Sequence, residues 1–270
     1  MGLERHPQEG CDCELEPALL PLAGRSRFRR PSWYEARKNL LLANLAPAMV
    51  AAHGVFDGPS IDFHQWAIAK REAARNSTEV REQFVRYIFG TLVSWGMHRM
   101  GEGGAKMPRF SVFRTSVVEH AWPSILDLWD AGQLSTREEW VTLCQAFHAI
   151  RASTTNSRLV SSSKVLAHLL PRSVCVIDRQ YTLGFLGQRN TYANGLRGEP
   201  GFEWRLFREI HEQLFYPLIG DPSFAAATAQ WPPPAEGQAA AMFETPLRAA
   251  DTIIVGYQRS IGQEPDPGAA

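Results

Sequence analysis

The apolar residues of this chain recur three and four positions apart over most of its length, and this spacing is the strongest constraint on its fold. The pattern is clearest in residues 78–95. Its apolar members there are Val80, Phe84, Tyr87, Ile88, Leu92 and Trp95. One run, residues 174–177, has the composition of an extended segment, and a single strand cannot form a sheet. The sequence therefore predicts an all-α protein, an irregular bundle of many helices.

Local signals predict where several helices begin and end. Ser77, or the residue after it, is expected to begin the helix that reaches Trp95, whose ring is expected to pack, and Thr136 with Glu139 is expected to begin another. Pro123 is expected to interrupt the helix that starts near residue 111. Residues 221–238 are expected to form a surface loop and residues 245–260 a last amphipathic helix.

Local composition divides the 270 residues into three parts. Residues 1–31 contain prolines, glycines and a cluster of four arginines but little periodic apolar content, which predicts a flexible N-terminal arm. Residues 32–260 carry the helical pattern and are expected to form one helical domain, in which two lobes with a cleft between them are an open alternative. Residues 261–270 are expected to be a disordered tail. A chain of this length can bury a sufficient core without disulfides.

Charge and motif content exclude several classes of function. The 28 basic and 28 acidic residues give a net charge of zero, so binding to a polyanion would require a local basic patch. The four cysteines lack the paired spacing of a zinc site, and the common nucleotide, metalloprotease and hydrolase signatures are missing. We therefore expect no metal and no cofactor. No apolar stretch approaches the roughly 20 residues of a membrane span, which favours a cytoplasmic protein without a membrane contact.

The candidate catalytic residues are a lysine and an aspartate on either side of one predicted helix. Three serines, residues 161–163, are expected to lie ahead of this helix, and Lys164 follows them. Helix starts attract anions and disfavour cations, so a lysine there either reaches an anion or becomes a neutral nucleophile. Asp178 is expected to cap the next helix. An amine that captures a sugar C1 atom and a carboxylate that stabilises positive charge would suit cleavage of an N-glycosidic bond. A solvated lysine and a simple helix cap are the structural alternative.

Seven further residues are candidates for ligand binding. They are His98, Arg99, Lys106, Ser163, His168, Arg179 and Tyr181. The first three belong to a glycine-rich basic connector, which is typical either of phosphate binding or of an exposed loop. The hydroxyl of residue 163 is expected to hold an anion at the helix start. The histidine at 168 shares the helix face of the lysine, and a purely structural, hydrogen-bonded role is its alternative. The last two flank the aspartate, where an anionic or aromatic ligand could bind.

Four groups of short motifs carry a resemblance to known proteins. They are residues 96–101 with 105–107, residues 163–171, residues 177–182 and residues 250–257. Over about residues 33–260 the chain resembles a family of prokaryotic proteins of unassigned function. More distantly, the order of lysine, helix and aspartate resembles the helix-hairpin-helix DNA glycosylases of the oxoguanine type. This resemblance implies a glycosylase-like helical fold, with Lys164 as nucleophile and Asp178 as its acidic partner. The chain departs from that pattern in having serines in place of a Gly-x-Gly hairpin and a shorter separation between lysine and aspartate.

Two functions follow as competing hypotheses. The first is a protein that interacts with nucleic acid or a nucleotide and, if it is an enzyme, cleaves an N-glycosidic bond. The second is a non-catalytic helical binding or scaffold component that joins a protein partner in a multi-protein system. The sequence does not name the substrate under either hypothesis.

Overall fold

The computed structural model describes residues 30–53, 59–99, 107–154, 158–187, 201–231 and 244–260. Within these ranges all regular secondary structure is helical and there is no strand, so the predicted all-α class is confirmed. The predicted N-terminal arm, apart from its last two residues, and the predicted tail lie outside the described residues. The run 174–177 is buried and has no regular secondary structure.

The helices are named here in chain order. They are α1 (Pro31–Ala43), α2 (Leu45–His53), α3 (Pro59–Asn76), α4 (Thr78–Ser94), α5 (Phe110–Thr115, continued by the π-helical Ser116–Ala121 and by Trp122–Asp127), α6 (Arg137–Ala149), α7 (Leu159–Leu169), α8 (Thr182–Phe185), α9 (Phe202–Ile210, continued by the π-helical His211–Phe215 and by Tyr216–Ile219), α10 (Pro222–Ala229) and α11 (Pro246–Ser260). A short 3-10 turn, Met97–Arg99, follows α4. The helices α3 and α4 pack along each other, as do α2 and α11, and α7 contacts α3, α4, α6 and α9.

Local capping explains where several helices begin. Ser77 accepts a hydrogen bond from the third residue after it and caps α4, and Thr136 with Glu139 forms a complete capping box for α6, both as predicted. The expectation of a surface loop after residue 221 is wrong at its start. Asp221 caps α10 and Pro222 occupies its first turn, where the missing N–H of proline costs no hydrogen bond.

Two prolines lie inside long helices that continue past them. The sequence predicted an interruption at Pro123, but α5 runs through it, and α9 likewise runs through Pro217. Each proline is the second residue after a π-helical stretch, Ser116–Ala121 or His211–Phe215. A π-helical turn is wider than an α-helical one, and a helix can therefore admit a proline there without the usual clash with the preceding turn.

The last helix, α11, is central rather than amphipathic as the sequence suggested. From Leu247 to Tyr257 its residues are buried without exception. Gly256 lies against the backbone of α2, where a Cβ atom would overlap the carbonyl oxygen of Ala48 and come within 2.8 Å of the nitrogen of Ala52. Position 256 therefore requires glycine, because there is no space for a side chain between α11 and α2.

The helix that carries Lys164 is fixed at both ends by charged side chains from distant parts of the chain. At its start, a carboxylate oxygen of Glu203 accepts hydrogen bonds from the N–H groups of Arg158 and Leu159. At its end, Arg71 donates to the carbonyl oxygen of Leu169 over 3.1 Å. Both charges are favourable for the helix dipole. The three serines predicted to precede the helix lie inside it, because it begins at Leu159.

Candidate functional site

The two predicted catalytic side chains meet in the structure. Ser163 on α7 accepts a hydrogen bond from the N–H of Ile177 over 3.1 Å and lies 3.2 Å from its carbonyl oxygen. These bonds hold the buried extended run 174–177 beside α7 and bring the next residue, Asp178, to the lysine. The Nζ atom of Lys164 lies 2.8 Å from Oδ2 of Asp178. The Lys164–Asp178 pair therefore depends on the Ser163 hydroxyl, which was expected to bind an anion.

The Asp178 carboxylate is held through both of its oxygens. Its Oδ1 accepts hydrogen bonds from the N–H groups of Gln180 at 2.7 Å and Tyr181 at 3.3 Å. The helix α8 begins only at Thr182, so Asp178 closes the turn ahead of the helix rather than capping the helix itself. Its orientation is thus fixed by backbone groups that do not move with the lysine.

Water has little access to this ion pair. The Lys164 side chain is 9% exposed and the Asp178 side chain 21%. Burial raises the pKa of Asp178, but the Lys164 charge and hydrogen bond and the two backbone N–H groups outweigh it and hold the pKa below its ordinary value. The carboxylate therefore stays ionised at neutral pH, as a group that stabilises a neighbouring positive charge must.

An indole ring lies at the centre of the charged residues. Trp95, the residue that ends α4, has its ring centroid 5.5 Å from Nζ of Lys164 and 5.3 Å from Cζ of Arg248. The imidazole rings of His64 and His168 pack against it at 6.1 and 5.5 Å. Side chains from α3, α4, α7 and α11 thus converge here. We call Lys164, Asp178, Arg248, Asp251 and Trp95 the charged cluster.

A second buried ion pair belongs to this cluster. Arg248 donates to Oδ2 of Asp251 over 2.6 Å, one turn apart on α11, with side chains 9% and 5% exposed. Burial raises the pKa of Asp251 to about 6; Arg248 and Lys164 oppose the rise, and the negative charge of Asp178 adds to it. The two carboxylates of the cluster therefore differ in proton affinity, since only Asp251 takes up a proton near neutral pH.

The buried histidines have defined tautomers. Nδ1 of His168 lies 2.7 Å from the carbonyl oxygen of Lys164, which can only accept, so this nitrogen carries the hydrogen. Burial lowers the pKa of His168 to about 4, and the neutral ring offers a lone pair on Nε2. Nδ1 of His64, 2.9 Å away, must then be the donor between the two rings. The two rings form a hydrogen-bonded pair behind the lysine, in which His168 is neutral.

A small recess lies beside His64 and His168 but not beside the Lys164–Asp178 ion pair. Its polar lining comes from His64, His168, Cys175, Glu244 and Arg248, among apolar side chains. Neither Lys164 nor Asp178 lines it. A ligand of the lysine must therefore approach from elsewhere.

The other candidate binding residues are more scattered. His98 is exposed, and its Nδ1 lies 2.8 Å from the carbonyl oxygen of Val93. Arg99 lies in the 3-10 turn after α4, and Lys106 is outside the described residues. Most of the basic connector, residues 100–106, therefore lies outside the described residues.

The two candidates that flank Asp178 lie at the surface beside it. Arg179 is exposed, and Tyr181 is half-buried. The Tyr181 hydroxyl accepts hydrogen bonds from the exposed Arg259 at 3.1 and 3.3 Å. Arg179 thus follows Asp178 directly in the chain, and Arg259 reaches the Tyr181 hydroxyl from α11.

Sequence reasoning missed four residues of the site. These are His64, Arg248 and Asp251, which were not named as candidates, and Trp95, which was expected only to pack. A signal existed for two of them. Arg248 and Asp251 stand one turn apart in the mainly apolar run from Leu247 to Tyr257, and charged residues within such a run occur mainly as pairs. The two aromatic rings give no comparable signal, because they reach the site only through tertiary packing.

Neither a metal-binding cluster nor a membrane-spanning helix occurs in the part of the chain that the structure describes. No three His, Cys, Asp or Glu side chains come together there in a way that could hold a metal ion. Cys144 and Cys175 are buried free thiols, and burial raises the pKa of Cys144 to about 12. Among the same residues, no helix has both the length and the apolar character needed to cross a bilayer.

Comparison with known proteins gives no relative. No protein-family model, no curated protein and no solved structure matches this chain. The proposals below therefore depend on the geometry of the charged cluster and on the chemistry of its side chains.

Proposed function

We propose that this protein acts on nucleic acid or a nucleotide and cleaves an N-glycosidic bond, with Lys164 as nucleophile and Asp178 as the charge that stabilises the sugar. The observation that carries the proposal is the ion pair itself. The Lys164 amine on α7 and the ionised Asp178 carboxylate, in the segment that follows α7, lie 2.8 Å apart, where water has little access. Perturbed, desolvated pairs of this kind are enriched at catalytic sites.

The reaction requires an amine and a fixed negative charge in these positions. The lone pair of the neutral Lys164 amine attacks C1′ of the sugar, and the electron pair of the C1′–N bond leaves with the base. The proton that the nitrogen loses on forming the new bond balances the proton that the base takes up. Opening of the sugar ring then gives a Schiff base on Lys164. Asp178 remains ionised throughout and stabilises the positive character that develops at the sugar.

The rim of the site favours a phosphate-bearing substrate. The net charge of the chain is zero, so attraction of a polyanion must come from local charges. Arg179, the residue after Asp178, and Arg259, which donates to the Tyr181 hydroxyl, are both exposed and can contact backbone phosphates.

A specific observation favours the alternative, a binding or scaffold protein without chemistry. The Lys164–Asp178 pair is closed, and both groups have partners, as in an ion pair that only stabilises a core. Under this hypothesis the chain binds nucleic acid or a protein partner and never forms a covalent bond to a sugar.

Borohydride trapping separates the two. The protein is mixed with duplexes that contain an abasic site, a damaged base or only normal bases, and sodium borohydride reduces any Schiff base to a stable adduct. We expect an adduct with wild type and with Lys70→Gln, and none with Lys164→Gln. Lys70 is a partly buried lysine on α3 outside the cluster and serves as the matched control. Absence of an adduct with every duplex, or its persistence in folded Lys164→Gln, would contradict the proposal.

A further inference from the structure

The Arg248–Asp251 pair lies too close to the proposed nucleophile to be electrically independent of it. The ring centroid of Trp95 lies 5.5 Å from Nζ of Lys164 and 5.3 Å from Cζ of Arg248, the two cations of the cluster. The Asp251 carboxylate interacts electrostatically with Lys164 and with Asp178 as well as with its direct partner. In this desolvated layer such interactions are screened far less than in water.

We propose that Asp251 is a positioning residue for Lys164, which controls the charge of the lysine amine through its own charge. This inference rests on the proposed function for its significance, because a nucleophilic amine must be neutral. As a carboxylate, Asp251 neutralises Arg248 and favours the ammonium form of the lysine. Once protonated, it no longer opposes the positive charge of Arg248, and the loss of its own negative charge favours the neutral amine.

The titratable groups around Asp251 support this control of Lys164 by the charge of Asp251. Arg248 faces it from the same helix, Lys164 from α7, and Asp178 from the segment between α7 and α8. Cys175, on the same segment, is a neutral thiol, since burial raises its pKa well above the ordinary value. Glu244, two residues ahead of α11, interacts with Arg248, and burial raises its pKa as well. It is present in both wild type and Asp251→Asn and therefore cancels from their comparison. The pKa of Asp251 near 6 makes it the one carboxyl of the charged cluster that changes charge near neutral pH.

The chain allows a direct chemical readout of the lysine that does not require enzymatic activity. Formaldehyde and cyanoborohydride methylate neutral amines, and both reagents are small enough for a site that is 9% exposed. Cleavage after arginine releases residues 159–172, in which Lys164 is the single lysine, so mass spectrometry reports its methylation separately. Lys70 provides the internal control.

The test compares wild type with Asp251→Asn between pH 5 and pH 7.5. At pH 5 the wild-type carboxyl is protonated, so both proteins should methylate Lys164 at equal rates. At pH 7.5 only wild type carries the extra negative charge, and the variant should react at least about threefold faster. Lys70 should react equally in both at every pH. A ratio for Lys164 that is the same at pH 5 and pH 7.5 would overturn the proposal, because a purely structural role changes access and not charge.

A second variant covers the case in which Asp251→Asn does not fold. Arg248→Met/Asp251→Leu removes both charges and leaves no uncompensated ion in the core. It should match wild type at pH 7.5, where the wild-type pair has no net charge. At pH 5 it should methylate Lys164 more slowly, because it lacks the positive charge of Arg248. A pH-independent ratio here would equally overturn the proposal. Predicted ratios without any borohydride adduct on DNA would instead refute the proposed function and leave the electrostatic control intact.

Discussion

Replacing His211 by glutamine should change how the stability of this protein responds to acid. His211 is fully buried on α9, with Nδ1 2.7 Å from the carbonyl oxygen of Phe207, to which it donates. Its Nε2 accepts a hydrogen bond from the N–H of Cys175 over 2.9 Å. A protonated ring would set two N–H groups against each other at Cys175. Glutamine can donate and accept in the same place but does not titrate.

The size of the effect follows from the pKa of this histidine. Burial lowers it to about 4 in the folded protein, whereas an unfolded chain has about 6.5. Between about pH 4 and about pH 6.5, the unfolded chain binds a proton at His211 and the folded protein does not. The stabilisation is therefore complete above the unfolded pKa and is lost as the pH falls. From pH 7 to pH 5 one such histidine costs about 2 kcal/mol of the free energy of unfolding.

Urea unfolding at pH 7 and pH 5, followed by circular dichroism, measures this directly. We expect the stability difference between wild type and His211→Gln to shift by about 2 kcal/mol in favour of the variant at pH 5. Asp251 titrates in both proteins and cancels from the comparison. His120→Gln, at an exposed position in α5, should leave the difference from wild type the same at both pH values. An equal difference at both pH values for His211→Gln would refute the reasoning.

Further substitutions at two positions, Gly256 and Asp178, test the fold and the site. Gly256→Ala should destabilise the protein by about 1–3 kcal/mol, because the new methyl group meets the backbone of α2, whereas Gly132→Ala, at a position with open space, should cost little; equal melting temperatures for the two variants would refute the close approach of α2 and α11. Asp178→Ser and Asp178→Asn should keep most of the fold because each retains an acceptor for the N–H groups of Gln180 and Tyr181. Both should lose borohydride trapping, and full trapping in either stable variant would reduce Asp178 to a structural residue.

Local signals in the sequence predicted the helices well where their own side chains decide the boundary. Ser77 and the Thr136–Glu139 box set the starts of α4 and α6 through bonds to residues three positions away. Failures occurred where a distant residue decides. The start of α7 was placed too late because Glu203, more than forty positions away, binds its first N–H groups.

The candidate site shows the same difference between features set by neighbouring residues and features set by distant ones. The meeting of Lys164 and Asp178 was predictable because one helix and one short segment connect them, and few paths allow them to part. The roles of Trp95 and Asp251 were not predictable, because they reach the lysine from α4 and α11 through packing that no local pattern encodes. The Ser163 hydroxyl was assigned to an anion although it binds Ile177, since a sequence does not distinguish a free hydroxyl from one used by the backbone.

The identity of the residue that becomes attached to a sugar tests the central claim most directly. An abasic-site duplex is reduced with borohydride in the presence of the full chain, the DNA is digested to its last nucleotide, and the protein is cleaved after arginine. The account predicts the added mass on residues 159–172, at Lys164, the single lysine of that peptide. Added mass only on other lysines or on the N-terminal amine, or no added mass at all, would contradict it.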